Sequence, residues 1–264
     1  MPEGDTIAKL AAAMAPDLVG QSIAIRSRDP HIDGCPDGTV HRVVAHGKHL
    51  LIELDNGYTL RTHLGMRGSW HRFEPGSNRP EGWISVELHT ARHHFACLAA
   101  REIEVVRTRG VRRRMLEERL GPDVIREPDA AAGAPARARR LLAPGTPVVD
   151  VVLHQGVAAG IGNVYKSELL FLARLHPKTP LAHVPDAVIA ELYGEAARLL
   201  KRNARTNGTR RTRRSKDAER AAGALWVYGR GGKRCLRCAT PVCSAHLGHR
   251  PRVTYWCPRC QNRA

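Results

Sequence analysis

Two Cys-x-x-Cys pairs near the C-terminus, Cys235 with Cys238 and Cys257 with Cys260, constrain this chain more than any other feature. Each pair can chelate one Zn²⁺ from a tight turn, and the two pairs, 18 residues apart, complete a tetrahedral Cys₄ shell. A closed four-sulfur shell leaves no open coordination position, so the one Zn²⁺ ion expected here is structural. Cys243, His246 and His249 lie between the pairs and stand as alternative ligands. Cys35 and Cys97, far upstream in a β-rich half, are expected to be core thiols. Arg230, Lys233, Arg234, Arg237, Arg250, Arg252 and Arg259 give the module a basic face suited to phosphate.

The whole chain shares that bias: 42 Lys and Arg against 25 Asp and Glu give a net charge of +17, which points to a polyanion. Nucleic acid and an acidic membrane surface both qualify. With 42% hydrophobic residues the chain can bury a core, so wholesale disorder is excluded. No apolar run is long enough for a membrane-spanning helix. Met1–Asp5 lacks the basic-then-apolar pattern of a secretory signal, so a cytoplasmic location is expected. In that compartment cysteines serve as metal ligands or free thiols more readily than as disulfides.

Apolar spacing predicts a helix over about Asp5–Met14, then short strands at Ile23–Ile25, Thr39–Val44, Leu50–Leu54, Tyr58–Thr62, Trp83–Leu88, His94–Ala99 and Ile103–Val106. Turn residues such as Asp55-Asn56-Gly57 separate the strands, as in an antiparallel sandwich or barrel. Glu127–Arg139, rich in Ala, Pro and Arg, reads as an inter-domain linker leading into a helix. Helical spacing follows at Val148–His154, Asn163–Ala173 and Pro185–Arg202. Lys201–Lys216 carries eight basic residues and no acidic one, and reads as a mobile loop ordered by DNA. The expected organisation is therefore α+β in three parts: 1–126 β-sandwich with flanking helices, 127–226 helical, and 227–264 zinc finger.

The most informative stretch runs from Gln155 to Phe171, where three glycines precede a helix beginning near Asn163. Glycine admits close approach of backbone to a phosphate, and a helix N-terminus offers unpaired N–H groups. The same residues also suit a plain tight turn with Asn163 as N-cap. At Gly160-Ile161-Gly162-Asn163-Val164-Tyr165-Lys166-Ser167-Glu168-Leu169-Leu170-Phe171 the chain resembles the formamidopyrimidine-DNA glycosylase / endonuclease VIII family, through its helix–two-turn–helix signature. The resemblance extends to Met1-Pro2-Glu3-Gly4, Gly47-Lys48, His63-Leu64-Gly65-Met66, Val227-Tyr228-Gly229-Arg230 and the cysteine module, all in the family's order. It looks nearest to the endonuclease VIII branch, of actinobacterial type.

That resemblance implies a bifunctional DNA glycosylase and AP lyase acting on oxidised pyrimidines in double-stranded DNA, as a monomer. Pro2, exposed once Met1 is removed, would be the nucleophile; an α-amine titrates near about 7.7–8.0, leaving some neutral amine at pH 7. Attack at the sugar C1′ expels the base and leaves a Schiff base that permits β- and then δ-elimination. Glu3 is the expected general acid/base, or a carboxylate at a helix N-terminus. Lys48 would approach the lesion's phosphate or sugar, or be a hairpin-tip charge. Asn163 and Arg252 match the family's phosphate clamp, and Met66 its wedge into the base stack, against a plain core methionine. Lys166 is expected at phosphate or facing solvent; Glu168 is expected to support the terminal residues, and Tyr165 and Phe171 to be core. Thr6 and His154 stand where relatives carry acidic residues, and Thr108–Arg114 is almost wholly basic where the oxidised-purine branch has further wedge residues. Two alternatives remain open: an AP lyase with little base excision, and a non-catalytic binder of damaged DNA.

Overall fold

The computed structural model describes residues 2–33, 35–74, 83–206, 210–213 and 224–262. The chain divides into two compact units, Met1–Arg119 and Leu120–Ala264. No described helix is long and apolar enough to cross a membrane.

The first unit holds strands β1 (Ser22–Arg26), β2 (Gly38–His46), β3 (His49–Leu54), β4 (Tyr58–His63), β5 (Ser69–Phe73), β6 (Ile84–His89), β7 (His94–Leu98) and β8 (Glu102–Arg107). With them go helices α1 (Gly4–Leu18), α2 (Pro30–Asp33) and α3 (Val111–Arg119). The strands run β5-β7-β6-β1-β2-β3-β4-β8. Between β1 and β2 the pairing is confined to Ser22↔Thr39 and Ile23↔Gly38, so the order falls into two four-stranded halves. Both halves feed one core: Ile25, Leu88 and Phe95 meet Val43, Leu50, Ile52 and Leu60, closed over by Ile7, Met14 and Leu18 of α1. Apolar residues at helical spacing put those three α1 side chains on one face, which is why the helix lies against the sheet. Every residue of β3 is buried, as a central strand requires.

Each predicted strand is present, but β5 was not predicted. Ser69-Trp70-His71-Arg72-Phe73 is an edge strand with His71 and Arg72 exposed, so it lacks an apolar alternation to betray it.

The second unit packs α4 (Ala134–Leu141), α5 (Val148–Leu153), α6 (Asn163–Leu172) and α7 (Asp186–Ala204), followed by the hairpin β9 (Cys243–Leu247) and β10 (Arg252–Trp256). Its core includes Val149, Val152, Ile161, Tyr165, Leu169, Tyr193 and Leu199. The predicted linker over Glu127–Arg139 is instead part of this packing. Ala130, Ala134 and Ala138 are at most 1% exposed, and Arg137 donates to the Val157 carbonyl at 2.6 Å and to that of Ala130. Small side chains here permit close helix contact; composition alone cannot separate that role from a linker's.

The predicted mobile loop also begins in order. Helix α7 continues to Ala204, and the buried Asn203 receives the Arg211 N–H at 3.0 Å while donating to the Tyr165 hydroxyl at 2.7 Å. Residues 207–209 and 214–216 of that stretch lie outside the described residues.

Candidate active site, metal centre and nucleic-acid interface

In the first unit, Pro2 is half-buried immediately before α1. Glu3 occupies the helix N-cap position: its carbonyl accepts the N–H groups of Thr6 at 2.9 Å and Ile7 at 3.1 Å. Its side chain makes no capping hydrogen bond and is fully buried. Without capping the helix, that carboxylate stands buried at the positive end of α1. Asp5, also buried, accepts the Thr6 N–H at 2.8 Å and sets a second carboxylate two residues from Glu3. Sequence reasoning passed over it; its signal was the alternation of acidic residues around Gly4.

Helix α1 packs on β2 and β3, the two strands joined by Gly47-Lys48. The His46↔His49 pair closes a two-residue loop, and Gly47 sits at φ 57°. Such loops want glycine first because the hairpin twist needs a left-handed backbone there. Lys48 rides this rigid turn, half-buried. Behind it is a cluster that sequence reasoning missed. His49 and His63 rings lie 4.8 Å apart, and Arg61, 5% exposed, reaches His49 Nδ1 at 2.9 Å and Glu102 at 3.2 Å. Burial first, then the charges of His63, Arg61, His46 and Lys48, push the His49 imidazole down to about 2. Burial likewise lowers His63, against the pull of Glu102. These histidines are neutral at physiological pH, and the fixed positive charges here belong to Lys48 and Arg61.

After β4, Leu64 points into the core while Met66 stands 71% exposed. Gly65 turns the chain at φ 66°, where an added Cβ would lie 2.8 Å from that of Arg101. Met66 is thus no core methionine but an apolar side chain held out on a tight turn. Trp83, 88% exposed, is a second such group and was not singled out from sequence.

In the second unit, Gln155 braces the glycine-rich turn, donating to the carbonyls of Leu153 and Ile161 and accepting the Gly160 N–H. The N-cap is Gly162, so Asn163 is the first helical residue. Its amide donates to the Val253 carbonyl at 2.9 Å, placing the helix start beside Arg252, the exposed first residue of β10. Lys166 departs from expectation. It is fully buried, and its ammonium donates to Asn163 Oδ1 at 2.6 Å, the Thr254 hydroxyl at 2.7 Å and the Val253 carbonyl at 3.2 Å. Three acceptors for three N–H donors make it an internal strut between α6 and β10, not a solvent-facing side chain. Tyr165 and Phe171 are core, as expected. Glu168 is fully buried, and its carboxylate receives the N–H groups of Trp226, Val227 and Tyr228 at 2.7–2.8 Å, with the Thr212 hydroxyl.

Cys235, Cys238, Cys257 and Cys260 converge with their sulfurs within 4.8 Å of one another. The Sγ separations are 4.0 Å for Cys235–Cys260 and 3.4 Å for Cys238–Cys257. A tetrahedron of Zn–S bonds near 2.3 Å requires about 3.8 Å, so the donor set fits that ion. Cys243, His246 and His249 are not in the cluster. Cys97 is a buried thiol pushed up to about 12 by desolvation, and Cys35 is raised in the same way, both as core thiols should be. Of the finger's arginines, Arg234, Arg237, Arg250, Arg252 and Arg259 are exposed, and Arg237 also lies over the Phe171 ring at 4.6 Å.

Comparison with known proteins follows this geometry closely. The N-terminal domain of formamidopyrimidine-DNA glycosylase matches residues 1–114, and its H2TH domain matches residues 120–215. A probable endonuclease 8 2 of Streptomyces coelicolor is 38% identical, over 99% of this chain and 94% of its own. The DNA-(apurinic or apyrimidinic site) lyase Nei2 of Mycolicibacterium smegmatis is 33% identical, over 99% of both chains. The formamidopyrimidine-DNA glycosylase of Lactococcus lactis, solved on DNA with an AP site, has the same fold at a TM-score of 0.81 and 22% identity, covering 98% of this chain and 99% of that one.

The His49 environment carries a test. An imidazole whose folded value lies below its unfolded one, about 6.5, stabilises the fold above that pH; the contribution is lost as pH falls toward the folded value. Urea unfolding should therefore show stability falling on acidification below about pH 6.5, with His49 contributing up to about 1.4 kcal/mol per pH unit. His49→Gln should flatten that decline, whatever its stability at pH 7.5; parallel declines would contradict the assignment.

Proposed function

We propose that this chain, which belongs to the formamidopyrimidine-DNA glycosylase family, is a bifunctional DNA glycosylase and AP lyase of base excision repair. The observation that carries the reading is the start of α1: Pro2 next to a Glu3 whose side chain is buried and does not cap the helix. A pure binder has no use for that pairing.

In the proposed reaction the Pro2 nitrogen, freed of Met1, attacks C1′ of the damaged nucleotide. The C1′–N bond breaks, and its electron pair leaves with the base, with Glu3 protonating the sugar ring oxygen or the departing base. The Pro2 nitrogen sheds its proton and the C1′–O4′ bond opens, its electron pair leaving on O4′, which takes up a proton. The resulting iminium on Pro2 draws electrons from C2′, whose proton is lost as the 3′ phosphate departs, and a second elimination releases the 5′ phosphate. Lys48, on its rigid hairpin turn, supplies positive charge to the sugar or phosphate. Because C1′ is inaccessible in stacked duplex, the nucleotide must be extruded. Met66 is suited to fill the gap. Asn163 and Arg252 grip the backbone, and Lys166 holds Asn163 in place. Cys235, Cys238, Cys257 and Cys260 would hold Zn²⁺, which would cross-link the finger and leave no reactive position.

The labour divides as 1–126 for chemistry, 127–226 for the helical clamp and 227–264 for the finger. The substrate inferred is an oxidised pyrimidine in double-stranded DNA, met in the cytoplasm by a monomer; the endonuclease 8 names of relatives support the endonuclease VIII branch. The name DNA-(apurinic or apyrimidinic site) lyase, borne by the Mycolicibacterium relative, favours a second reading: strand cleavage at abasic sites with little base release.

Incision of duplexes carrying thymine glycol, dihydrouracil or an abasic site separates these readings. Cleavage of all three, with release of free base, is expected. Cleavage of the abasic duplex alone would leave the lyase, and none would leave the binder. Phosphate contacts make binding salt-dependent, so Arg252→Ala should lower the slope of log K against log[salt] by about one. Lys166→Met should leave that slope unchanged while lowering the melting temperature; a slope change for Lys166 would return it to the phosphate-contacting set.

A further inference from the structure

Beside the Cys₄ cluster, the described residues converge three metal-binding side chains at one other place, on the β6–β7 hairpin of the first unit: Glu87, His89 and His94, with donor atoms within 4.8 Å of one another. The backbone explains the convergence. Glu87 and His89 are two residues apart on β6 and so share a face of the sheet. His94 on β7 is the register partner of His89, its direct neighbour across the ladder. The two imidazoles stack at 4.3 Å with 16° between their planes. The Glu87 carboxylate spans both, with one oxygen 2.9 Å from His94 Nε2 and the other 3.8 Å from His89 Nε2. Phe73, across from His94 on β5, walls one side with its ring 5.7 Å away. Glu87 and His94 side chains are 16% and 12% exposed, and His89 is 35% exposed, so the cluster is enclosed but reachable.

We propose that Glu87, His89 and His94 form a second metal site, for one first-row divalent cation of the zinc class. Two imidazoles and one carboxylate make a borderline donor set that suits Zn²⁺, Ni²⁺, Co²⁺ or Fe²⁺ over Mg²⁺ or Ca²⁺. Bonds of about 2.1 Å put donors about 3.4 Å apart in a tetrahedron, so side-chain torsions alone can close the gaps and splay the rings. Three protein ligands leave an open position for water or an anionic oxygen, unlike the closed Cys₄ shell. The ion would staple β6 to β7, with no part in the proposed reaction.

The test uses the full chain with its finger already zinc-loaded, titrated with ZnCl₂ at pH 7.5 by calorimetry and by metal content after desalting. The wild type should take up a second equivalent. Glu87→Gln, His89→Asn and His94→Asn should each retain the first equivalent and bind the second more weakly by over the roughly 100-fold that loss of an outer partner costs at most. Co²⁺ added to the zinc-loaded wild type should broaden the NMR signals of the His89 and His94 rings before those of other histidines, a readout needing no variant. A wild type that binds one equivalent only, a second equivalent unaffected by the substitutions, or Co²⁺ broadening elsewhere would each overturn the site.

Discussion

The second unit is organised around one buried carboxylate. Glu168 takes three successive backbone N–H groups, from Trp226 to Tyr228, into a fully buried oxygen pair. A buried charge is tolerable only when its hydrogen-bonding capacity is met, and here the backbone itself meets it. The consequence is positional: the chain entering the finger is tied to the middle of α6. Two residues earlier on that helix, Lys166 ties its first residue, Asn163, to β10. The tip of the finger hairpin is held in turn by Asp150, which accepts the His249 N–H at 3.0 Å. The helix start and the exposed Arg252 are therefore tied together, as the two jaws of the proposed phosphate grip must be.

The first unit follows the same logic with different means. The sheet presents Lys48 on a two-residue turn, and α1, packed over the strands leading to it, begins just after Pro2 and Glu3. Beneath Lys48 a histidine pair is kept neutral by burial beside Arg61. Keeping those imidazoles uncharged prevents two more positive charges from crowding the turn near neutral pH.

Much of this was legible in the sequence because it is local. The cysteine pairs sit on turns of four residues and converge, the glycines before Asn163 mark a helix start, and the alternating runs of the first unit became strands. What escaped depends on partners distant in the chain. Lys166 reads as a surface cation until Val253 and Thr254, 87 and 88 residues away, bury it. The His49, His63 and Arg61 cluster, and the Glu87, His89 and His94 triad, exist only through strand register. The alanines of α4 look like linker composition until close packing explains them. Strand β5 is polar because it lies at an edge.

The proposed reaction requires the amine at position 2 to become covalently joined to DNA. Borohydride reduction during reaction with an abasic duplex, then proteolysis and mass spectrometry of the trapped complex, reads that bond directly. A deoxyribose adduct is expected on the N-terminal peptide at Pro2, and none on protein whose terminal amine has been acetylated. An adduct on any lysine, Lys48 included, or no adduct from protein that has lost Met1 and binds the duplex, would contradict it.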